Sequence, residues 1–159
     1  MSERFLVDGM LGSLARKLRI LGYDVAFDKK SDDQQLLQLA IESGRSLVTA
    51  DINLYLQAKK LRINSILVGA RTEKERLFQV LSSVGVSQIK ISFVPRCSLC
   101  NGLLKDSGKS TKAGKEIYTC TMCGKKYWQG SHWRNLESLF MEVNRLLLGN
   151  KDKNSRVGC

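Results

Sequence analysis

Short apolar runs alternate with helical patterns through residues 1–95, and that alternation fixes the fold class. The runs are Phe5–Val7, Val25–Phe27, Ser46–Val48, Ile66–Val68 and Ile89–Phe93. Each is brief and rich in β-branched or aromatic residues, as strands buried on both faces are. Between the first two, Leu11, Leu14, Ala15, Leu18 and Leu21 recur at spacings of three and four, and Gly22 follows as a stop. Leu36, Leu37, Ala40 and Ile41 repeat the pattern ahead of Gly44. Residues 52–62 and 73–84 are predicted to form a third and a fourth helix. Alternation of this kind implies an α/β fold, a parallel sheet with helices on both faces and right-handed crossovers.

The character of the chain changes at Pro95, its only proline. Residues 96–134 are rich in Cys, Gly, Lys and aromatics and have little helical periodicity. Two Cys-x-x-Cys pairs, Cys97/Cys100 and Cys120/Cys123, stand 19 residues apart. Each pair can form a tight knuckle that aims two sulfurs at one point, and two knuckles complete a tetrahedron. Four soft thiolates suit Zn²⁺ as a structural metal with no open position, with iron as the main competitor. Asn101, Gly102 and Gly124 follow the pairs, where the turns need permissive residues. Lys105–Lys115 reads as a mobile basic loop. A helix is expected over 135–148, carried by Leu136, Leu139, Phe140, Val143, Leu146 and Leu147, with Ser131 as a possible cap upstream. Residues 149–159 read as a disordered tail. The predicted division is therefore an α/β domain over 1–95, a zinc ribbon over 96–134, a C-terminal helix and the tail.

Charge narrows the partners. The net charge is +11. Residues 1–95 carry 14 Lys/Arg against 10 Asp/Glu, net +4, while residues 96–159 carry 12 against 5, net +7. The smaller part is the better candidate for a surface that meets phosphates. No apolar run approaches the ~20 residues of a membrane span, and no apolar leader opens the chain. A cytoplasmic protein is expected, in which cysteines bind metal rather than form disulfides.

Three acids stand where strands end or helices begin. Asp8 ends the first strand, Asp51 ends the third in "SLVTAD", and Asp33 opens the second helix. In parallel α/β sheets, sites form beyond the carboxyl ends of strands, where strand order switches. With order 2-1-3-4, Asp8 and Asp51 would be neighbours, and Asp33 would emerge from the same edge. Clustered carboxylates repel unless cations lie between them, and Mg²⁺ or Mn²⁺ would suit such a cluster. The plainer reading is helix capping, since Asp is a favoured N-cap and Asp32, Asp33 and Asp51 all precede helices; Asp8 fits it less well, because Gly9 would satisfy the turn without a charge. Asp24 and Asp28 read as turn residues.

Arg16 and Arg19 lie off the leucine stripe of the first helix. A solvated face is the ordinary reading, but near Asp8 they could hold a phosphate bidentately. In "KKYWQGSHW", Lys125 and Lys126 could take phosphates while Tyr127, Trp128 and Trp133 either stack on bases or pack the ribbon onto the first domain. His132, the only histidine, is an acid/base or phosphate-donor candidate or a structural residue.

Taken together, "FLVDGMLGSLARKLRILGYDV", "DDQQLLQLA", "SLVTAD", "RCSLCNGLL" and "CTMCGKKYWQGSHW" resemble the PIN-like ribonuclease family of the Mut-seven C-terminal RNase domain type. The resemblance runs over roughly residues 4–148. It implies a PIN-like domain followed by a zinc ribbon, and Mg²⁺- or Mn²⁺-dependent endonuclease activity on RNA leaving 5′-phosphate and 3′-hydroxyl ends. Asp8, Asp33 and Asp51 fall on the family's acidic positions, Arg16 and Arg19 on the arginines of "LARxLR", and His132 on the histidine of "GSHW". Asn53 departs from the pattern, standing where many PIN nucleases carry a fourth acid. The alternative is an inert RNA-binding protein, associated with RNA such as tRNA or with the ribosome.

Overall fold

Phe5, Leu6 and Val7 are consecutive and all buried, so the first strand must be covered on both faces, because neighbouring side chains point to opposite sides. The computed structural model describes residues 3–69, 71–90, 96–109 and 114–157. Its elements are β1 (Arg4–Val7), a 3₁₀ turn (Gly9–Leu11), α1 (Gly12–Ile20), β2 (Asp24–Phe27), α2 (Asp33–Ser43), β3 (Ser46–Thr49), α3 (Ile52–Lys60), β4 (Ser65–Leu67), α4 (Glu73–Ser83), β5 (Leu104–Lys109), β6 (Glu116–Cys120), β7 (Lys126–Tyr127) and α5 (Ser131–Val157). The four N-terminal strands form a parallel sheet in the order β2-β1-β3-β4. This is the order that makes β1 and β3 neighbours.

Two apolar layers sandwich the sheet. On one face Phe5, Val7, Val25 and Val48 meet Leu14 and Leu18 of α1, Leu77 and Leu81 of α4, and Phe140, Val143 and Leu147 of α5. On the other, Leu6 and Leu47 meet Leu36, Leu37 and Ala40 of α2 and Leu54 and Ala58 of α3. The C-terminal helix is therefore part of the core of the first domain rather than an appendage of the ribbon.

Three boundaries differ from expectation. The expected strand Ile89–Phe93 does not form at Ile89 and Lys90, and 91–93 lie outside the described residues. Asn144 of α5 takes both backbone groups of Ile89, accepting from its N–H at 2.6 Å and donating to its carbonyl at 3.0 Å. That amide does the job a neighbouring strand would do. Residues 105–109 of the expected basic loop belong to β5, which pairs antiparallel with β6 through an irregularity between Asp106 and Lys109. Ser107 donates to Thr119 across the pair at 2.6 Å. Residues 110–113 of that loop lie outside the described set. Finally, α5 starts at Ser131 and runs to Val157, past the expected end at 148. Gly149 alone is not a breaker; inside a helix it costs only about 1 kcal/mol. Among the described residues no helix is long and apolar enough to cross a membrane.

Candidate functional site

The β1–β3 edge brings two of the predicted acids together. The Asp8 N–H donates to the Val48 carbonyl at 2.9 Å, which carries the β1–β3 pairing one residue past the strand end. Thr49, fully buried, donates its hydroxyl to Asp8 Oδ2 at 2.8 Å and accepts from the Asp51 N–H at 3.0 Å. One hydroxyl thus fixes the carboxylate of one acid and the backbone of the other. Thr49 escaped the sequence reading. Its signal was a hydroxyl two residues before the Asp in "VTAD", on a strand with no solvent face.

The capping explanation holds for one acid in part and fails for two. Asp51 caps α3 with Oδ1, which accepts from the Leu54 N–H at 3.1 Å. Asp8 precedes the 3₁₀ turn but makes no side-chain cap there. The cap of α2 is Asp32, in a reciprocal capping box with Gln35, and Asp33 is the residue after it. Asp33 lies on the same edge. Asp33 is exposed; slight desolvation, then the like charges of Asp51, Asp8 and Asp32, push its carboxyl pKa up. The approach of the β2–α2 loop to β1 requires Gly9. A Cβ there would sit 3.0 Å from Lys29 Cα and 3.2 Å from the Asp28 carbonyl oxygen. Asn53 is exposed on the first turn of α3.

The four cysteines converge more tightly. Among the described residues, Cys97, Cys100, Cys120 and Cys123 are the one group of three or more Cys, His, Asp or Glu side chains whose ligand atoms all lie within 4.8 Å of one another. The three carboxylates do not approach one another that closely. Sulfur separations of 3.7 Å (Cys97–Cys123) and 3.4 Å (Cys100–Cys120) suit a tetrahedron with Zn–S bonds of about 2.3 Å. Burial opposes ionisation of Cys120, but the N–H groups of Cys123 and Met122 outweigh it and hold this thiol down at about 6. Asn101 (φ 71°) and Gly124 (φ 76°) occupy the left-handed turns. Gly102 is required for a different reason, since a Cβ there would lie 2.8 Å from Cys120 Sγ. The cluster is consistent with a zinc ribbon.

Arg19 is a correction. It is 6% exposed, not turned toward a phosphate. Its Nε and Nη2 donate to the Val25 carbonyl at 3.0 and 2.8 Å, and its Nη1 to the Ser98 and Leu99 carbonyls at 3.1 and 3.0 Å. Asn101 completes the joint by accepting from the Val25 N–H at 2.9 Å and donating to Asp24 at 2.7 Å. The outer edge of β2 is therefore closed by the first cysteine knuckle, which spares the sheet an open edge. Asp24 is more than a turn residue, for Arg45 pairs with it at 2.9 Å. Burial opposes its charge, but hydrogen bonds from Arg45 and Asn101 prevail and lower its pKa. Arg16, by contrast, is exposed on α1. Arg19→Met keeps the aliphatic stem but orphans three carbonyls. We expect a loss of about 3 kcal/mol in urea denaturation. Arg19→Lys should not rescue it, because a lysine cannot reproduce the guanidinium fork.

The remaining predicted residues meet in one groove. Lys125, Lys126, Tyr127, Trp128, His132 and Trp133 line a cavity of about 400 Å³, with Ile20 of α1, Ser98 of the knuckle and Leu136 of α5. Tyr127 is tethered, its hydroxyl 2.8 Å from Cys97 Sγ and 3.3 Å from Ser98 Oγ. Lys125 Nζ sits 5.4 Å from the centre of its ring. Trp128 is 58% exposed.

The fold is thus an α/β protein whose parallel four-stranded sheet is met along one edge by a four-cysteine cluster consistent with a zinc ribbon. The chain belongs to the Mut7-C RNAse domain family, whose model matches residues 3–140. That span covers the sheet, the ribbon and the first third of α5. Membership points to a ribonuclease-type function and an RNA substrate. Comparisons with curated proteins and with solved structures gave no match.

Proposed function

We propose that the protein is a Mg²⁺- or Mn²⁺-dependent endoribonuclease, with a structural zinc ion in the ribbon. The observation that carries this reading is the Thr49 bridge, which locks Asp8 and Asp51 side by side at adjacent strand ends. Asp8, Asp51 and Asp33 would hold the divalent cation, for they offer the hard oxygen donors it prefers. When bound, the cation would supply Lewis-acid stabilisation of the phosphodiester and would ease loss of a proton from the water that attacks it.

The chain's own residues do the rest. Thr49 spends its proton on Asp8 Oδ2, leaving Oδ1 for a ligand. Asp51 spends Oδ1 on the helix cap, leaving Oδ2. Lys125 and Lys126 would bind flanking phosphates, with Arg16 a further exposed cation on α1. Water attack in line would leave 5′-phosphate and 3′-hydroxyl ends.

The test is cleavage of a panel of structured and unstructured RNAs. Products should appear with Mg²⁺ or Mn²⁺ and not with Ca²⁺ or no added ion. Cleavage indifferent to the divalent ion would sink the proposal. RNA binding without cleavage under any ion would favour an inert binding protein, the reading that Asn53 supports.

A further inference from the structure

The groove between the ribbon and α5 has features that a general phosphate-binding surface does not need. It is concave and walled by aromatic rings, with positive charge at its margin. Its volume of about 400 Å³ is near the lower end of small-ligand sites. Gly130 shapes it: a Cβ at that position would lie 3.3 Å from Trp128 Nε1, so glycine lets the indole lie against the backbone. Tyr127 is held by Cys97 and covered by Lys125, leaving Trp128 as the open stacking face.

We infer that this groove takes a single unpaired nucleotide of the RNA strand, its base stacked on Trp128 and its phosphate met by Lys125 or Lys126. The inference rests on the ribonuclease reading for the identity of the polymer. Charge complementarity supports it, since residues 96–159 carry net +7. Size and shape select the unpaired form. A base in a duplex offers no free face to an indole, and double-stranded RNA is met through its backbone and shallow groove instead. Aromatic stacking is tolerant of sequence, so the groove would select strandedness rather than a particular base.

Position adds a consequence. Ile20, at the far end of α1, lines the groove, whereas Asp8 lies just before the turn that opens this helix. The nine residues of α1 span about 14 Å at 1.5 Å each, and the 3₁₀ turn lies between them and Asp8. The nucleotide held in the groove would therefore sit a few positions along the strand from the one at the acids.

The two tryptophans of the chain both line this groove, so intrinsic fluorescence reports on it directly. The experiment titrates the full chain, without added Mg²⁺ or Mn²⁺, with a labelled single-stranded oligoribonucleotide and with its blunt duplex at one salt concentration. Anisotropy gives the affinity and tryptophan emission the contact. The single strand should quench emission and bind about tenfold or more tightly than the duplex. Trp128→Ala should cost about tenfold in single-strand affinity, and Trp128→Phe should recover most of it. Equal affinity for the duplex, an unaffected Trp128→Ala variant, or binding without quenching would each overturn the inference. Cleavage assayed in parallel separates the two readings. Quenching without cleavage would contradict the nuclease alone, and cleavage without quenching would contradict the groove alone.

Discussion

Replacing Asp8 with Asn should lower RNA cleavage by about a thousandfold while leaving the fold intact. The substitution removes a charge and one good metal-ligating oxygen. A cation's stabilisation of the transition state is worth several kcal/mol, and each 1.36 kcal/mol is tenfold in rate. The fold is spared because the amide oxygen can still accept from Thr49, which donates to Asp8 at 2.8 Å. Asp51→Asn should behave alike, since Asn caps a helix as well as Asp and the bond from the Leu54 N–H survives. Asp32→Asn is the control. Asp32 belongs to the capping box of α2, so its replacement should leave cleavage within about twofold. A variant at Asp8 that cleaves normally would remove the acids from the mechanism. Circular dichroism and a melting curve for each variant exclude unfolding as the cause.

Stripping the ribbon metal should be the most damaging change to the structure. Structural zinc contributes on the order of 10 kcal/mol to the folding of small cysteine modules. The ribbon has little else: Cys97 and Cys120 are among its few buried side chains, and β5 is exposed along almost its whole length. The effect should not stop at the ribbon. If the first knuckle melts, Arg19 loses the Ser98 and Leu99 carbonyls, and Val25 loses Asn101. The edge of β2 is then uncovered. The α/β core should persist, because both of its apolar layers are complete without the cysteines. We therefore expect one zinc ion per chain by elemental analysis. A strong chelator should lower the melting temperature by ten degrees or more and shift the tryptophan emission, since the groove leans on Tyr127 and Cys97. An unchanged melting curve and spectrum after removal of the metal would contradict this account.

Much of this architecture is written locally and can be read locally. Strand–helix alternation through β4, the stops at Gly22 and Gly44 and the cysteine spacing depend on neighbours in sequence, and each is found in place. The strand order could be posed as a condition, and the sheet meets it. What escaped depends on distant partners. Arg19 looked solvated because a leucine stripe takes account only of apolar residues. The carbonyls that bury it lie 79 and 80 residues away. Asp24 passed for a turn residue because Asn101 is 77 residues distant. Ile89 reads as a strand on composition, but a side-chain amide from α5 satisfies its backbone. The choice of cap among Asp32, Asp33 and Asp51 could have been narrowed. Asp32 and Gln35 have the spacing of a capping box, which would have assigned the cap to Asp32 and left Asp33 to be explained otherwise.

The most direct test of the central claim is the anomalous diffraction of a crystal soaked in Mn²⁺, collected for the wild type and for Asp8→Asn. The account predicts a manganese peak at the β1–β3 edge, bonded to the carboxylates of Asp8 and Asp51 with Asp33 drawn in. The peak should be lost or much reduced in the variant. A wild-type edge with no manganese at saturating concentration, or a peak that survives the loss of Asp8's charge undiminished, would contradict it.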